Sequence, residues 1–339
     1  MTTNNINRIL DANINRASEA LRVLEEYTRF IQNNTSISEN LKNIRHLVNG
    51  ISSQFSNLIL YRESENDVGK EIKNNSTRKC IKDIIRANSK RVEEALRCIC
   101  EYGQILNLNI QDLEKARYEI YSIEKELIKN EKIIRLQNAK LYLVANGDLQ
   151  TIEKAIEGGI NIIQLREKNS SEKEIIKLGN EIRKMTNGTE ILFILNDRID
   201  LALICGADGV HLGQDDTPIS DARKITPSGF LIGLSTHSIE QGTLGIKSGA
   251  DYLGVGPVYA TPTKPDYIPA GLDYVKWASK NINIPWFAIG GVNENNITEV
   301  IKHGAKGVAV VRAIMNSKSP KETTHLLAQS FEKELAKNA

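Results

Sequence analysis

The first 135 residues contain no proline, although eight occur in the remainder. Nothing in that stretch is therefore forced to break a helix. Other absences exclude classes of function. No apolar run reaches the roughly 18 residues that cross a bilayer, and the opening MTTNNINRILDANINR holds no apolar segment of the signal-peptide kind. The four cysteines, Cys80, Cys98, Cys100 and Cys205, show no ligand spacing beyond one C-x-C. Reduced thiols in a cytoplasmic protein are the expectation. A net charge of +2 supplies no field for nucleic acid or an anionic membrane. Neither G-x-x-x-x-G-K-S/T nor, after the first strand-like run, G-x-G-x-x-G occurs, so there is no P-loop and no dinucleotide fingerprint.

What is present suits a soluble globular protein: 40% apolar and 25% charged residues over 339 positions. That length predicts two domains, and the chain changes character near residue 135. Residues 1–135 form a series of helical patterns rich in Arg, Glu, Asn and Ile. Residues 139–339 alternate short apolar runs with amphipathic stretches. The join, IKNEKIIRLQNAK, is charged and predicts a continuing helix followed by an exposed connection.

The first part holds an internal repeat. ANINRASEALRVLEEY (12–27) matches ANSKRVEEALRCICEY (87–102) at an offset of 75, with nine of sixteen positions identical. Asn13/Asn88, Arg16/Arg91, Glu19/Glu94, Arg22/Arg97 and Glu26/Glu101 are among them, beside an apolar stripe through Leu21 and Leu24. Two readings stay open. One is a pair of equivalent packed helices with ion pairs along their faces. The other is a polar cleft for a phosphorylated ligand, joined by RESENDVGKEIK (62–73) with its Asp67 and Gly69.

The second part is legible by counting. Strand-like runs begin at 141, 162, 191, 209, 230, 252, 285 and 307, with helical stretches between them. Strands alternating with helices imply right-handed crossovers and a parallel sheet. Eight units in about 200 residues predict a (β/α)8 barrel, whose chemistry belongs at the strand C-termini. Those ends carry Gln164, Arg166 and Lys168, then Asn196 and Asp197, then Gln214, Asp215 and Asp216, then Ser235. The sixth gives way to ATPTKPDYIPAG, a loop stiffened by Pro262, Pro265 and Pro269 with Lys264 fixed among Thr261 and Thr263. The seventh ends in Gly290-Gly291, ahead of a helix predicted from Asn293 to Asn295, and the eighth is read as continuing through Val311-Arg312-Ala313. Cations and carboxylates on one rim suggest a diphosphate held with Mg2+. Paired glycines before a helix suit a second phosphate. His211 is read as a packed core histidine, not a ligand.

QLREK, NDR, GVHLGQDD, GLST, GPVYATPTK, IGGV and VAVVRAI, in this order, resemble thiamine-phosphate synthase over residues 139–335. The resemblance implies a TIM barrel and a transferase joining a hydroxymethylpyrimidine diphosphate to a thiazole phosphate, with release of diphosphate. It implies that Gln164, Arg166, Lys168, Asn196, Ser235 and Lys264 hold the pyrimidine diphosphate, with Lys168, Lys264 and Ser235 in catalysis. It implies Mg2+ on Asp197 and Asp216, and thiazole phosphate on Thr261, Thr263, Gly291, Val311 and Arg312, with the loop after strand 6 closing over both substrates. Two positions depart from the pattern: Arg198, where some members carry an acid, and Arg312, where serine is common. The all-α N-terminal part resembles a domain fused to some of these synthases, for which a pyrimidine-phosphate kinase role, using ATP, has been suggested. Its rival is a non-catalytic dimerisation module. For the barrel, the rival is a paralogue that isomerises or binds thiazole phosphate. The expected partners are these small molecules, with no nucleic acid and no membrane, and a homo-oligomer is allowed.

Overall fold

The computed structural model describes residues 3–55, 57–62, 77–261 and 268–337. The chain divides into two compact units, Met1–Glu131 and Lys132–Ala339.

The first unit contains α1 (Thr3–Phe30), α2 (Thr35–Ser52), a 3-10 turn (Leu58–Tyr61), α3 (Ile81–Ile105) and most of α4 (Gln111–Asn138). Both copies of the repeat are helical, one in α1 and one in α3, and these two helices pack on each other. Their equivalent apolar residues are buried in pairs: Ala20 and Ala95, Leu21 and Leu96, Leu24 and Ile99. Equivalent polar residues also behave alike. Asn13 donates to the Ile9 carbonyl at 2.9 Å and Asn88 to the Ile84 carbonyl at 2.8 Å. Arg22 pairs with Glu26 and Arg97 with Glu101, each one turn along its helix. Asp11 is buried and receives both arms of the Arg62 guanidinium, at 2.8 and 3.0 Å. Residues 63–73 of the stretch that Arg62 opens lie outside the described residues.

The second unit is a closed barrel of eight parallel strands: β1 (Leu141–Ala145), β2 (Ile162–Leu165), β3 (Leu192–Asn196), β4 (Gly209–Leu212), β5 (Leu231–Thr236), β6 (Tyr252–Val255), β7 (Trp286–Ile289) and β8 (Val308–Val310). Leu141 of β1 pairs with Val308 of β8 and closes the ring. The surrounding helices are α5 (Leu149–Glu157), α6 (Glu172–Thr186), α7 (Ile199–Ile204), α8 (Ile219–Ile225), α9 (Ile239–Lys247), α10 (Gly271–Asn281), α11 (Ile297–Lys302), α12 (Arg312–Met315) and α13 (Pro320–Lys337). Because side chains alternate along a strand, two cores form. Leu143, Ile163, Phe193, Val210, Ile232 and Leu253 belong to the core formed with the helices. Tyr142, Val144, Ile162, Ile194, Leu231, Tyr252 and Phe287 form a separate interior cluster.

Three boundaries differ from the sequence reading. Strand 8 stops at Val310, the last residue in register with β1. Val311 takes φ −121° and ψ −85°, and Arg312 opens the short α12. The helix after strand 7 begins at Ile297, because Asn293–Asn296 satisfy their own backbone. Asn296 accepts from the Asn293 N–H at 2.8 Å and Asn293 from the Asn295 N–H at 2.9 Å, a local alternative to helical bonding. The connection after α4 is only Ala139-Lys140, and Ala139 is buried with Leu136 in the interior cluster. It is a plug rather than an exposed link.

Below that plug, buried Asp208 accepts from the Phe193 N–H at 3.1 Å and from Arg183 at 2.9 Å, with Lys132 at 3.5 Å. Removing this carboxylate strips two cations of a buried partner, a change that costs about 3–5 kcal/mol. Asp208→Ala is therefore expected to lower the urea midpoint of the barrel strongly. Both tryptophans, Trp277 and Trp286, lie in this unit, so their fluorescence follows it alone. An unchanged midpoint contradicts the assignment.

Candidate active site

The strand alternation that fills the barrel also builds its rim. Inward positions run from Ile162 to Gln164 on β2, Leu192 through Ile194 to Asn196 on β3, and Leu231 through Gly233 to Ser235 on β5. Each moves from apolar at the strand start to polar at its end. A cavity of about 930 Å3 opens there. Gln164, Arg166, Lys168, Asn196, Asp197, Asp216, Ser235, Thr261, Gly291, Val311 and Arg312 all line it. Thr263 and Lys264 lie outside the described residues, as does most of the loop expected to close over the substrates.

Two carboxylates meet on the rim. Asp197, at the end of β3, takes a left-handed backbone, φ +59°. For a residue with a Cβ this conformation costs roughly 1–2 kcal/mol, though Asp tolerates it better than most. Its N–H donates to the His211 carbonyl at 2.9 Å, and the Arg198 N–H to the Asn196 carbonyl at 2.7 Å. These bonds pin the turn. Asp216 accepts from the Gly213 N–H at 2.6 Å and lies within hydrogen-bonding range of Asp197. Burial, followed by the neighbouring Asp216, raises the Asp197 carboxyl above its ordinary range, while Lys168 and Arg166 pull it back.

The Gly290-Gly291 pair has left-handed backbone, φ +107° and +70°. Val258 and Tyr259 donate to the Ile289 and Gly290 carbonyls at 2.8 and 2.9 Å, and a Cβ at Gly290 would strike Pro257. The two loops therefore meet without room for a side chain.

His211 is packed as its apolar strand implies, with one addition. It is buried, but it also lines the cavity, bonding Ser235 at 3.0 Å and the Tyr252 hydroxyl at 3.2 Å. Its position in an apolar strand hid this. Tyr142 and Tyr252, strand aromatics that read as core, are core: both are buried in the interior cluster, with Tyr252 against His211. Glu167, which accepts from the Gly147 N–H at 2.5 Å, and His237, bonded to the Gly256 carbonyl at 2.7 Å, also line the cavity. His237 directly follows the Ser235-Thr236 strand end, a signal that was available.

Residues 140–314 match the family model for thiamine monophosphate synthase, and residues 8–126 match the ThiD2 family. The thiamine-phosphate synthase of Synechocystis sp. is 42% identical over 331 residues, 96% of each chain. That of Nostoc punctiforme is 42% identical over 329 residues, 95% of this chain and 93% of the other. The chain belongs to the thiamine-phosphate synthase family. Among solved structures, a thiamine phosphate pyrophosphorylase from Pyrococcus furiosus is 37% identical, covering 60% of this chain and 99% of the other with a TM-score of 0.55. Of the two departures from the synthase pattern, Arg198 is exposed, engages Asp200 and Glu172 at 2.6 and 2.7 Å, and is not among the residues lining the cavity. Arg312 lines the cavity at the start of α12.

A raised carboxyl means that the folded protein holds this proton more tightly than the unfolded chain does. The contribution of Asp197 to stability therefore falls as pH rises through the interval above 3.8, the ordinary value. Asp197→Asn removes the charge and keeps a residue suited to the left-handed turn. With divalent ions chelated, it is expected to melt above wild type at pH 7 and to lose that advantage as pH falls toward 3.8. A melting temperature at or below wild type at pH 7 contradicts this.

Proposed function

We propose that the barrel is a thiamine-phosphate synthase coupling hydroxymethylpyrimidine diphosphate with thiazole phosphate to give thiamine monophosphate and diphosphate. The supporting observation is the convergence of Arg166, Lys168, Asp197 and Asp216 with Gln164, Asn196 and Ser235 on one cavity. In this reading Gln164, Asn196 and Ser235 take the pyrimidine, and Arg166, Lys168 and Lys264 take its diphosphate. Thr261, Thr263, Gly291, Val311 and Arg312 take the thiazole phosphate. A protein that only bound or isomerised thiazole phosphate would have no diphosphate to justify this set.

The donors fit Mg2+. Among the described residues no group of three or more His, Cys, Asp or Glu could hold a metal. Mg2+ usually needs only one or two carboxylates, taking the rest from phosphates and water. Asp197 and Asp216 form such a pair, and their mutual repulsion is what a cation relieves. Bound there, Mg2+ would neutralise charge on the departing diphosphate. The chain's own residues do the rest. Arg166, Lys168 and Lys264 stabilise the leaving oxygens as the carbon–oxygen bond breaks, while the pyrimidine ring spreads the positive charge left behind. The opposite phosphate contacts orient the thiazole nitrogen for attack. No protein nucleophile is required.

The experiment is diphosphate release from the two purified substrates, with and without Mg2+. Asp216→Asn should abolish the Mg2+ response, and Lys264→Ala should slow single-turnover bond formation by about 100- to 1000-fold with thiazole-phosphate affinity retained. A wild-type chemical step in both variants refutes these roles.

The reading also divides the chain into a helical domain at 1–135 and a synthase domain at 139–339, in a cytoplasmic enzyme that admits a homo-oligomer. Among the described residues no helix is long and apolar enough to cross a membrane. We assign to the helical domain the ATP-dependent conversion of the pyrimidine monophosphate into the diphosphate that the barrel consumes. The exposed, repeated Arg16 and Arg91 support a phosphate-binding role. Arg16→Ala or Arg91→Ala is expected to stop this phosphorylation in the full chain while diphosphate release from supplied substrates continues. If wild type consumes no ATP with the monophosphate, the dimerisation reading replaces it.

A further inference from the structure

A chain of hydrogen bonds crosses the barrel beneath the cavity. Gln164 donates through Nε2 to Asn196 Oδ1 at 2.6 Å. Tyr142 donates to Gln164 Oε1 at 2.8 Å. The Tyr142 and Tyr252 hydroxyls are 2.9 Å apart. Tyr252 meets His211 Nδ1 at 3.2 Å, and His211 Nε2 meets Ser235 Oγ at 3.0 Å. Both tyrosines are fully buried among Phe287 and the aliphatic interior, so their hydroxyls rely on each other and on these partners.

Given that Gln164 turns its amide nitrogen to Asn196 and its carbonyl to Tyr142, and with the His211 ring neutral, counting protons gives the direction of the remaining links. A phenol has one hydrogen. Tyr142 spends its hydrogen on Gln164 Oε1, which can only accept, so Tyr252 must donate to Tyr142. The Tyr252 oxygen then accepts from His211, which must carry its proton on Nδ1. In the neutral ring Nε2 is left as an acceptor, and the Ser235 hydroxyl donates to it. Ser235 thereby meets the cavity with oxygen lone pairs. At the other end the Asn196 carbonyl is occupied by Gln164, so Asn196 offers its Nδ2 donor. Burial holds both phenols in their neutral, proton-bearing form, well above the ordinary tyrosine range.

We propose that Tyr142, Tyr252 and His211 are positioning residues that set hydrogen-bond polarity at the two ends of the pyrimidine subsite, an acceptor at Ser235 and a donor at Asn196. The ligand edge that fits carries an N–H donor beside a ring-nitrogen acceptor, as an aminopyrimidine does. An edge with oxygen in place of the amino group presents the reverse pattern and meets like against like. This deepens the synthase reading and rests on it for the identity of the ligand, but the polarity of the relay does not depend on that reading.

Two measurements test it. Ring 15N shifts of the ligand-free wild-type protein, in which only five histidines need assignment, should show His211 protonated at Nδ1 and bare at Nε2. The opposite tautomer overturns the relay whatever the protein catalyses. Tyr252→Phe removes the acceptor of the Nδ1 proton and frees the ring to change tautomer. We expect kcat/KM for the aminopyrimidine diphosphate to fall at least tenfold and its preference over the oxo analogue to shrink at least tenfold. Inhibition by inorganic diphosphate should stay within twofold of wild type. Tyr142→Phe cuts the relay on the other side and should lose the same preference, which keeps the test open if Tyr252→Phe folds poorly. Unchanged discrimination in a folded variant of either kind defeats the assignment. Absence of turnover in wild type, with the Nδ1 tautomer present, overturns the synthase reading and leaves the relay standing.

Discussion

The Tyr252 ring occupies the space that a side chain at position 233 would need, so β5 must carry glycine there. That contact expresses the constraint governing the second unit: eight strands enclose a space that must be filled to near-crystalline density. Tyr142, Tyr252 and Phe287 fill it with mutually tilted rings whose centroids lie 5.3 to 6.0 Å apart. Phenylalanine alone would satisfy volume. Tyrosine brings hydroxyls that must be bonded when buried, and this obliges the next layer up to be polar. Gln164 and His211 supply that layer. The floor of the cavity is thus partly a consequence of how the barrel below it is packed.

The charges on the rim follow a different logic. Asp197 and Asp216 are brought together although burial and the neighbouring acid raise the cost of ionising Asp197, and Asp197 accepts a disfavoured backbone to get there. A strained residue beside a like charge, in a cavity that also holds Arg166 and Lys168, is an arrangement that folding alone does not need. Strain of this kind persists where the surrounding structure over-determines it, here through the bonds on either side of the turn at 197. The same acid therefore weakens the ligand-free fold and supplies the charge that a cation would meet.

The barrel was legible because its strands are buried on both faces and read as continuous apolar runs separated by amphipathic stretches. The rim residues were legible because polar side chains interrupt those runs at fixed places. Boundaries were harder. The end of β8 depends on register with β1, which is not visible locally, and the start of α11 depends on asparagines whose side chains compete with helical bonds. That His211 also borders the cavity was not legible, for a physical reason: alternation tells which face a side chain takes but not how deep along the barrel it sits. At one depth an inward histidine is core, and one layer higher it borders the cavity.

In the helical unit, structure separates the identities of the repeat by cause. Leu21/Leu96 and Ala20/Ala95 are identical because both helices bury the same stripe. Arg22/Arg97 with Glu26/Glu101 are accounted for by pairs one turn apart, each worth only about 0.3–0.5 kcal/mol. Asn13/Asn88 bond their own helices in the same way. Of the charged identities, Arg16/Arg91 and Glu19/Glu94 remain, exposed in both copies. The positions that differ divide the other way: Glu25, held by Arg45 at 2.9 Å, stands opposite Cys100, and buried Glu93 opposite Ser18. Within the repeat the buried charges Glu25 and Glu93 are therefore unmatched, whereas the exposed pairs Arg16/Arg91 and Glu19/Glu94 are duplicated. A ligand bound by the repeat itself would meet Arg16 or Arg91, since those residues are polar in both copies at positions where packing demands nothing.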